Sequence, residues 1–167
     1  MEPVVRPWPL AVLLIAATGC GGGSVTTPSP PVATPTPAPV GFSIVVNPNP
    51  VVAADSADPD VPLVASWTVK VSSTSALGAR VNFVNATLRD GTSGAEAEPS
   101  GIVTLAAADI TAQAGTNRVE ARSSLTVSQS LQYRLPSGGR TGTLTVTAQF
   151  RDDNGNLSSQ SEQAAVN

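Results

Sequence analysis

The chain contains 167 residues, with 12 acidic and nine basic side chains, one cysteine and no histidine. Without histidine, neither imidazole catalysis nor a histidine-ligated metal site can form. The net charge of -3 and the single lysine, Lys70, argue against a nucleic-acid partner, because binding to phosphates requires clustered basic residues. Charged residues make up only 13% of the chain, about half of the usual share, so hydroxyl and amide side chains must cover most of the surface.

Residues 1–19 have the layout of a secretory signal peptide. One basic residue, Arg6, precedes an apolar run over residues 10–17, and small residues follow the run. The run is shorter than the roughly 20 apolar residues that a membrane-spanning helix needs. The sequence therefore predicts a targeting segment that is separate from the folded domain.

The segment Ala17-Thr18-Gly19-Cys20 ends on the only cysteine of the chain. It resembles the lipobox of bacterial lipoproteins, in which a small residue precedes a cysteine that receives a diacylglyceryl group. The resemblance implies cleavage between Gly19 and Cys20, lipidation of Cys20, and anchoring in the bacterial cell envelope through two or more acyl chains. Gly21, in place of an aspartate, implies the outer membrane. Cleavage at the same bond by ordinary signal peptidase, which yields a secreted protein, is the alternative.

Residues 20–40 comprise the lipidated N-terminus and a predicted disordered tether. A Gly/Ser-rich piece precedes a Thr/Pro-rich piece with a proline at every second or third position. Proline fixes φ and biases its predecessor towards extended geometry, so residues 27–40 should form semi-rigid polyproline II with a reach on the order of 40 Å. The segment predicts a spacer between the membrane and the domain, and an O-glycosylated stalk or a docking site for a proline-recognition partner is the alternative.

From Gly41 onward, apolar and β-branched residues alternate with polar ones, which is typical of half-buried strands. Seven strands are predicted, at residues 42–46, 63–73, 80–89, 101–105, 124–135, 143–151 and 157–166. Within the third, the apolar parity changes, which predicts a bulge near Val84. Residues 106–114 are rich in helix formers and predict a short helix between strands.

Seven one-sided strands within residues 41–167 are usually buried as two antiparallel sheets packed face to face. Trp67 in an early strand and the closing pair TLTVTAQFRDDNGN make the region resemble a bacterial immunoglobulin-like (Ig-like) or fibronectin-III-like module. The predicted fold class is therefore all-β, an antiparallel seven-stranded Ig-like β-sandwich. With one cysteine, the chain cannot form an internal disulfide bond.

Asp152, Asn154 and Asn156 have the spacing of the first three ligands of a calcium loop. Leu157 and Gln163 stand where that loop needs its glycine and its bidentate glutamate. A hairpin turn is therefore predicted, no metal ligand is assigned, and calcium binding through this loop is the alternative.

Two further acidic groups are candidates for chemistry. Asp55, Asp58 and Asp60 lie in a proline-containing loop, which predicts solvated carboxylates, with a divalent cation or a glycan as the alternative ligand. Glu96 and Glu98 form the only close glutamate pair, but no aromatic side chain stands beside them to hold a sugar for glycoside hydrolysis. No enzyme activity and no cofactor are predicted.

Thr141, Thr143, Thr145 and Thr147 place four hydroxyl groups on one face of a predicted strand. An exposed antiparallel face is commonly rich in threonine, which suits strands and stays hydrated. Such an array could instead bind a glycan, an ordered water layer or another sheet.

These observations predict a non-enzymatic, lipid-anchored, extracytoplasmic module that presents its β-domain to an envelope protein or polysaccharide. The last predicted strand, at residues 157–166, is a candidate sheet edge to which a partner strand could add. A calcium- or glycan-binding domain that uses the aspartate-rich loops is the second hypothesis.

Overall fold

A computed structural model describes residues 41–167 of the protein. The predicted signal peptide, the lipidation site Cys20 and the tether up to residue 40 lie outside the described residues. The described part contains nine strands and one helix. They are β1 (Phe42–Asn47), β2 (Ala53–Asp55), β3 (Leu63–Ser73), β4 (Ala79–Asp90), β5 (Ile102–Ala106), α1 (Ala107–Ala114), β6 (Arg118–Val119), β7 (Ser124–Tyr133), β8 (Gly142–Asp152) and β9 (Leu157–Val166).

The strands form two antiparallel sheets. In the first sheet, β3 pairs with β1 and β2 along one edge and with β7 along the other. In the second sheet, β4 pairs with β5 and β6 along one edge and with β8 along the other, and β9 pairs with β8. The prediction of an all-β fold with antiparallel sheets is confirmed.

The inward faces of both sheets contribute to one hydrophobic core. In β3 the alternation is complete, since Leu63, Ala65, Trp67, Val69 and Val71 are all buried. The rings of Phe42 in β1 and Phe150 in β8 stack across the two sheets with centroids 5.3 Å apart. Period-two alternation in the sequence thus becomes burial on one face of each strand, as the strand geometry requires.

One polar side chain, Gln129 in β7, lies in this core between the sheets. Its Oε1 accepts a hydrogen bond from Trp67 Nε1 at 3.1 Å, and its Nε2 donates to the carbonyl of Val84 at 3.2 Å. Both ends of the amide are therefore satisfied, which offsets the cost of burying it. Gln129 has the same parity as the apolar residues of this strand, so their alternation does not single it out.

Several local predictions agree with the structure. Strands β3 and β9 begin and end where the alternation predicts, and the predicted helix corresponds to α1. The predicted bulge is present as a register shift between Val81 and Phe83 in the pairing of β4 with β8. The count of seven strands is not confirmed, because β2 and β6 are additional short strands of three and two residues.

The two flanks of the domain, where the edges of the sheets meet, differ in how they are closed. We call the side with β5, β6 and β7 the closed flank, because α1 contacts both β5 and β7 there and buries Ile110 completely. Gln113 of α1 accepts a hydrogen bond from the backbone N–H of Ser128 at 3.0 Å. This bond satisfies a donor on the outer edge of β7 that would otherwise face solvent.

The opposite side, with β1 and β9, is called the open flank. After β1 the chain leaves β3, and Val51 pairs in parallel with Val166 at the end of β9. Val51 donates to the carbonyl of Ala165 at 2.8 Å and accepts from Asn167 at 3.1 Å, and Ala53 donates to Asn167 at 2.8 Å. These three bonds join the two sheets at one end of the open flank.

Candidate functional site

The loop with calcium-like spacing is a hairpin turn built around Asp152. Its Oδ1 accepts hydrogen bonds from the backbone N–H groups of Asn154 and Asn156 at 2.9 and 2.8 Å, and its Oδ2 accepts from the side-chain amide of Asn156 at 3.0 Å. The Asn156 bonds hold the pKa of Asp152 below its ordinary value. Gly155 supplies the positive φ of 86° that the turn requires. The carboxylate therefore organises the hairpin.

The neighbouring Asp153 joins the hairpin to the rest of the second sheet. Both of its oxygens accept from the guanidinium of Arg118, at 2.7 and 3.0 Å, and Oδ2 also accepts from the N–H of Gly78 at 3.0 Å. Arg118 additionally contacts Glu120 at 2.8 Å. These interactions hold the pKa of Asp153 below its ordinary value and raise the pKa of Arg118, with the Arg118 to Asp153 bond as the main cause.

The aspartates at the end of β2 and in the loop before β3 have different partners. Asp55 pairs with Arg140. Asp58 accepts a hydrogen bond from the backbone N–H of Asp60 at 3.0 Å, which makes it a turn residue. Within residues 41–167, no group of three or more cysteine, histidine, aspartate or glutamate side chains is arranged to hold a metal ion.

The two glutamates of the loop between β4 and β5 also point to different partners. Glu96 accepts from the backbone N–H of Gly101 at 3.3 Å, and Glu98 forms an ion pair with Arg134 at 2.7 Å. The backbones of Glu98 and Arg134 exchange hydrogen bonds at 3.0 and 2.9 Å. The loop is thereby attached to the end of β7, and each of its two glutamates is engaged in a separate contact.

A buried carboxylate that the sequence patterns did not reveal, Asp90, links two loops on the closed-flank side. It is 2% exposed, and its Oδ1 accepts from the N–H groups of Thr92 and Ser93 at 2.7 and 3.2 Å. Its Oδ2 accepts from the N–H of Ser137 at 2.7 Å. These bonds, with Ser137 contributing most, hold the pKa of Asp90 well below its usual range. The contact with Ser137 joins the turn that follows β4 to the loop that follows β7.

The threonine row lies on the outward face of β8 except for Thr141, which precedes the strand. Thr143 is exposed, whereas Thr145 and Thr147 are half-buried by neighbouring strands. The hydroxyls of Thr147 and Ser161 are 2.8 Å apart across β8 and β9. At this position, therefore, the hydroxyl array bonds within the sheet.

The candidate edge strand is β9, which lies at one end of the second sheet. Ala165 and Asn167 use their outward backbone groups to bond to Val51 and Ala53. Because backbone groups alternate in direction along a strand, the odd-numbered residues of β9 direct their N–H and C=O groups away from β8. The unpaired edge of β9 on the open flank is thus formed by residues 157, 159, 161 and 163. Val51 pairs only with the end of β9 that follows these residues.

No helix in the described part of the chain, residues 41–167, is long and apolar enough to cross a membrane.

Comparisons with known proteins bear on the fold. No protein-family model matches the chain, and no curated protein matches it. A crystal structure from Bordetella pertussis, provisionally assigned as the ApaA protein, is similar with a TM-score of 0.55 and 17% identity. That similarity covers 76% of this chain and 95% of the other. A structural genomics target designated SoR45 is similar with a TM-score of 0.53 and 11% identity, over 75% of this chain and 86% of the other.

A third solved structure, the sporulation control protein Spo0M from Bacillus subtilis, has a TM-score of 0.37 and 9% identity, over 75% of this chain and 48% of that protein. At such identities, the first two similarities concern the fold alone. They agree with an all-β domain of antiparallel sheets that occupies about three quarters of the chain.

Proposed function

We propose that the protein is a non-enzymatic, lipid-anchored module of the bacterial cell envelope, whose β-domain binds an envelope partner. The observation that carries the proposal is the order of segments along the chain: a signal peptide, the lipobox-like Ala17-Thr18-Gly19-Cys20, a proline-rich tether, and then an all-β domain. A lipid at Cys20 fixes the chain at the membrane. The tether then separates the domain from the bilayer, on the side facing away from the cytoplasm.

Within this proposal, the domain is an Ig-like β-sandwich. Support comes from the two antiparallel sheets, the single core between them, and the buried Trp67 in β3. The acidic residues considered for chemistry are used in structural contacts, since Asp152 organises a hairpin and Glu98 holds a loop to Arg134. Such contacts favour a binding or structural role over the second hypothesis of calcium or glycan binding through these loops.

We assign partner binding to the free edge of β9 on the open flank. A partner strand could pair with the outward backbone groups of residues 157–163, which adds a strand to the second sheet. The side chains along this edge are small or neutral except for Glu162, which has the same parity as the buried Ala164 and Val166. The edge therefore carries a single charge, that of Glu162, beside an incoming strand.

The anchor is tested by the intact mass of the mature protein extracted from its membrane. We expect a chain that begins at Cys20 and carries acyl mass on that residue. The Cys20→Ser variant should lose the acyl mass and appear in the soluble fraction. An unmodified cysteine at the mature N-terminus of the wild-type protein would contradict the anchor.

The binding edge is tested by photocrosslinking in cells from Gln163, with Thr104 on β5 as the control position. We expect Gln163 to form an adduct with an envelope protein, and Thr104 not to form it. Ser159→Pro should abolish the adduct, because proline removes one outward N–H group of the edge without breaking a bond to β8.

The matched control for that variant is Gln160→Pro, because the N–H of Gln160 in the wild-type protein is directed towards β8. This change should lower the melting temperature, whereas Ser159→Pro should leave it nearly unchanged. An adduct that persists in a folded Ser159→Pro protein would refute the assignment of the β9 edge.

A further inference from the structure

The outward face of the first sheet is a second polar surface, distinct from the β9 edge. We call it the hydroxyl face. Its side chains come from β1, β3 and β7, and apart from Val45, Val64 and the chain's only lysine they are hydroxyls and amides: Ser43, Asn47, Ser66, Thr68, Ser72, Ser124, Thr126, Ser128, Ser130 and Gln132. The outward positions of these three strands hold no acidic residue, although the chain carries 12 and has a net charge of -3. The hydroxyl face is therefore free of negative side chains, although the domain as a whole is acidic.

Lys70 lies in the middle strand of this face, directly between Val45 of β1 and Thr126 of β7. It is exposed, and the ion pairs of residues 41–167 all involve arginines. An ammonium group without a carboxylate partner is available to an anionic ligand.

A groove of about 400 Å³ lies on the same face, and Thr68, which lines it, is two residues from Lys70 along β3. It forms because β1 leaves β3 after Asn47, while β3 and β7 continue side by side. The groove is lined by Asn47, Pro48, Ser66, Thr68, Ser128 and Ser130, together with Trp67 and Gln129. The groove is open to solvent, so it can contact one side of a sugar unit.

The hydroxyl groups of the groove are available for a ligand. Within residues 41–167, the side-chain oxygens of Ser66, Ser128 and Ser130 make no hydrogen bond to the protein. That of Thr68 donates to the carbonyl of Asn47 at 3.2 Å and keeps its acceptor capacity. On the outward face of the second sheet, by contrast, Thr147 bonds to Ser161, and Asn82 bonds to Gln149 at 3.1 Å.

We infer that the hydroxyl face binds an acidic polysaccharide, with one sugar in the groove and a carboxylate of the same polymer on Lys70. Hydroxyl and amide side chains can both donate to and accept from sugar hydroxyls, and the ammonium group forms a charge-assisted hydrogen bond with the carboxylate. Lys70 is two residues from Thr68 on the same strand face, roughly 7 Å along the strand. That spacing lets a polymer, and not a single sugar, contact the groove and the lysine together.

The inference is tested with the soluble Cys20→Ser chain and two commercially pure polymers, polygalacturonate and the neutral polymer amylose. Binding is measured by affinity electrophoresis and by calorimetric titration at two salt concentrations. We expect polygalacturonate to bind more tightly than amylose and to lose affinity at the higher salt concentration. Lys70→Gln should weaken polygalacturonate binding about two- to fivefold, as expected for one exposed ion pair.

The groove is tested separately by the double variant Ser66→Leu, Ser130→Leu, which fills it with exposed side chains. This variant should lose binding to the polymer while its melting temperature stays near that of the parent. The matched control is Thr143→Leu, Thr145→Leu on the outward face of the second sheet, which should bind polygalacturonate normally.

Several results would overturn the inference. The protein would fail to bind polygalacturonate, or it would bind polygalacturonate and amylose equally well. Alternatively, the folded groove-filling variant would bind polygalacturonate as tightly as the parent. Binding to phosphatidylglycerol vesicles in place of the polymer, with the same sensitivity to Lys70→Gln, would assign the hydroxyl face to a membrane surface and would also overturn it. None of these outcomes affects the test of lipidation at Cys20 or that of the β9 edge.

Discussion

The closed flank and the open flank of the domain differ in how the edges of their sheets are covered. Both are places where sheet edges leave backbone groups unpaired. On the closed flank a helix, a side-chain amide and the loop bonded to Arg134 cover the edges. On the open flank β1 packs against β9 and the backbone around Val51 bonds to the end of β9, whereas the outward backbone groups of residues 157–163 have no backbone partner within residues 41–167. The difference lies in the cover of the sheet edges, which a helix and a loop provide on one flank and the backbone around Val51 provides at one end of the other.

The largest expected effect comes from removing the side chain that holds α1 on the closed flank. Ile110 is fully buried, so Ile110→Ala should lower the free energy of unfolding by about 2–5 kcal/mol. The measurement is urea denaturation followed by tryptophan fluorescence. The control is the exposed Thr111→Ala in the same helix, which should cost much less. Equal losses for the two variants would show that α1 does not stabilise this flank.

The corresponding change on the open flank is Val51→Ala. Val51 is fully buried, and removing two carbon atoms should cost about 2 kcal/mol. Its neighbour Val52 is 63% exposed and provides a matched control, since Val52→Ala should leave the free energy of unfolding nearly unchanged. A negligible effect of Val51→Ala would mean that the Val51 side chain contributes no more to the free energy of unfolding than the exposed side chain of Val52.

A pH-dependent effect is expected from Asp90, which links the loops beside the closed flank. Its pKa in the folded protein is well below its usual range, mainly because of its hydrogen bonding with Ser137. The folded state therefore binds the proton less readily than the unfolded state, whose aspartates titrate near pH 4. The stabilisation is present above about pH 4 and is lost as the pH falls towards the lower pKa of the folded state.

Asp90→Asn should consequently lower the melting temperature at neutral pH, because Ser137 loses its charged acceptor. It should also make the decline of stability below about pH 4 less steep than in the wild-type protein. Thermal unfolding between pH 2 and pH 7 measures both effects. Parallel curves for the two proteins would exclude Asp90 as a source of the acid sensitivity.

The smallest effect is expected at Gln113, the amide that satisfies Ser128 on the edge of β7. Gln113 is exposed, so its replacement by alanine should cost about 0.5 kcal/mol. Amide hydrogen exchange at Ser128 is the more sensitive measurement and should become faster in Gln113→Ala. The control is Gln132→Ala, which removes another exposed amide from β7 itself and should leave exchange at Ser128 unchanged. Unchanged exchange in Gln113→Ala as well would show that this hydrogen bond does not protect the edge.

The predictions that succeeded from sequence depend on local patterns. Alternation over residues 63–73 and 157–166 gave the bounds of β3 and β9, and the change of parity near Val84 marked the bulge in β4. Helix formers marked α1. In each case the neighbours along the chain decide the structure, because strand and helix periods differ.

The features that the sequence did not reveal depend on contacts between distant residues. Gln129 is buried because Trp67 and Val84 meet it from two sheets, and nothing in its own strand indicates those partners. The hydrogen bond of Asp90 with Ser137 joins residues 47 positions apart, and β2 and β6 are too short for a periodic pattern. The groove on the hydroxyl face likewise arises where β1 departs from β3, which no alternation of residues predicts.

The parallel pairing of Val51 with the end of β9 also has a mechanical consequence. In the proposed arrangement the tether pulls on the start of β1, whose six residues pair with β3. That ladder carries the load first, and the three backbone bonds among Val51, Ala53, Ala165 and Asn167 come under tension only when β1 has left β3. The junction at Val51 would therefore act as a second attachment, which keeps the chain joined to β9 after the first strand has been pulled away.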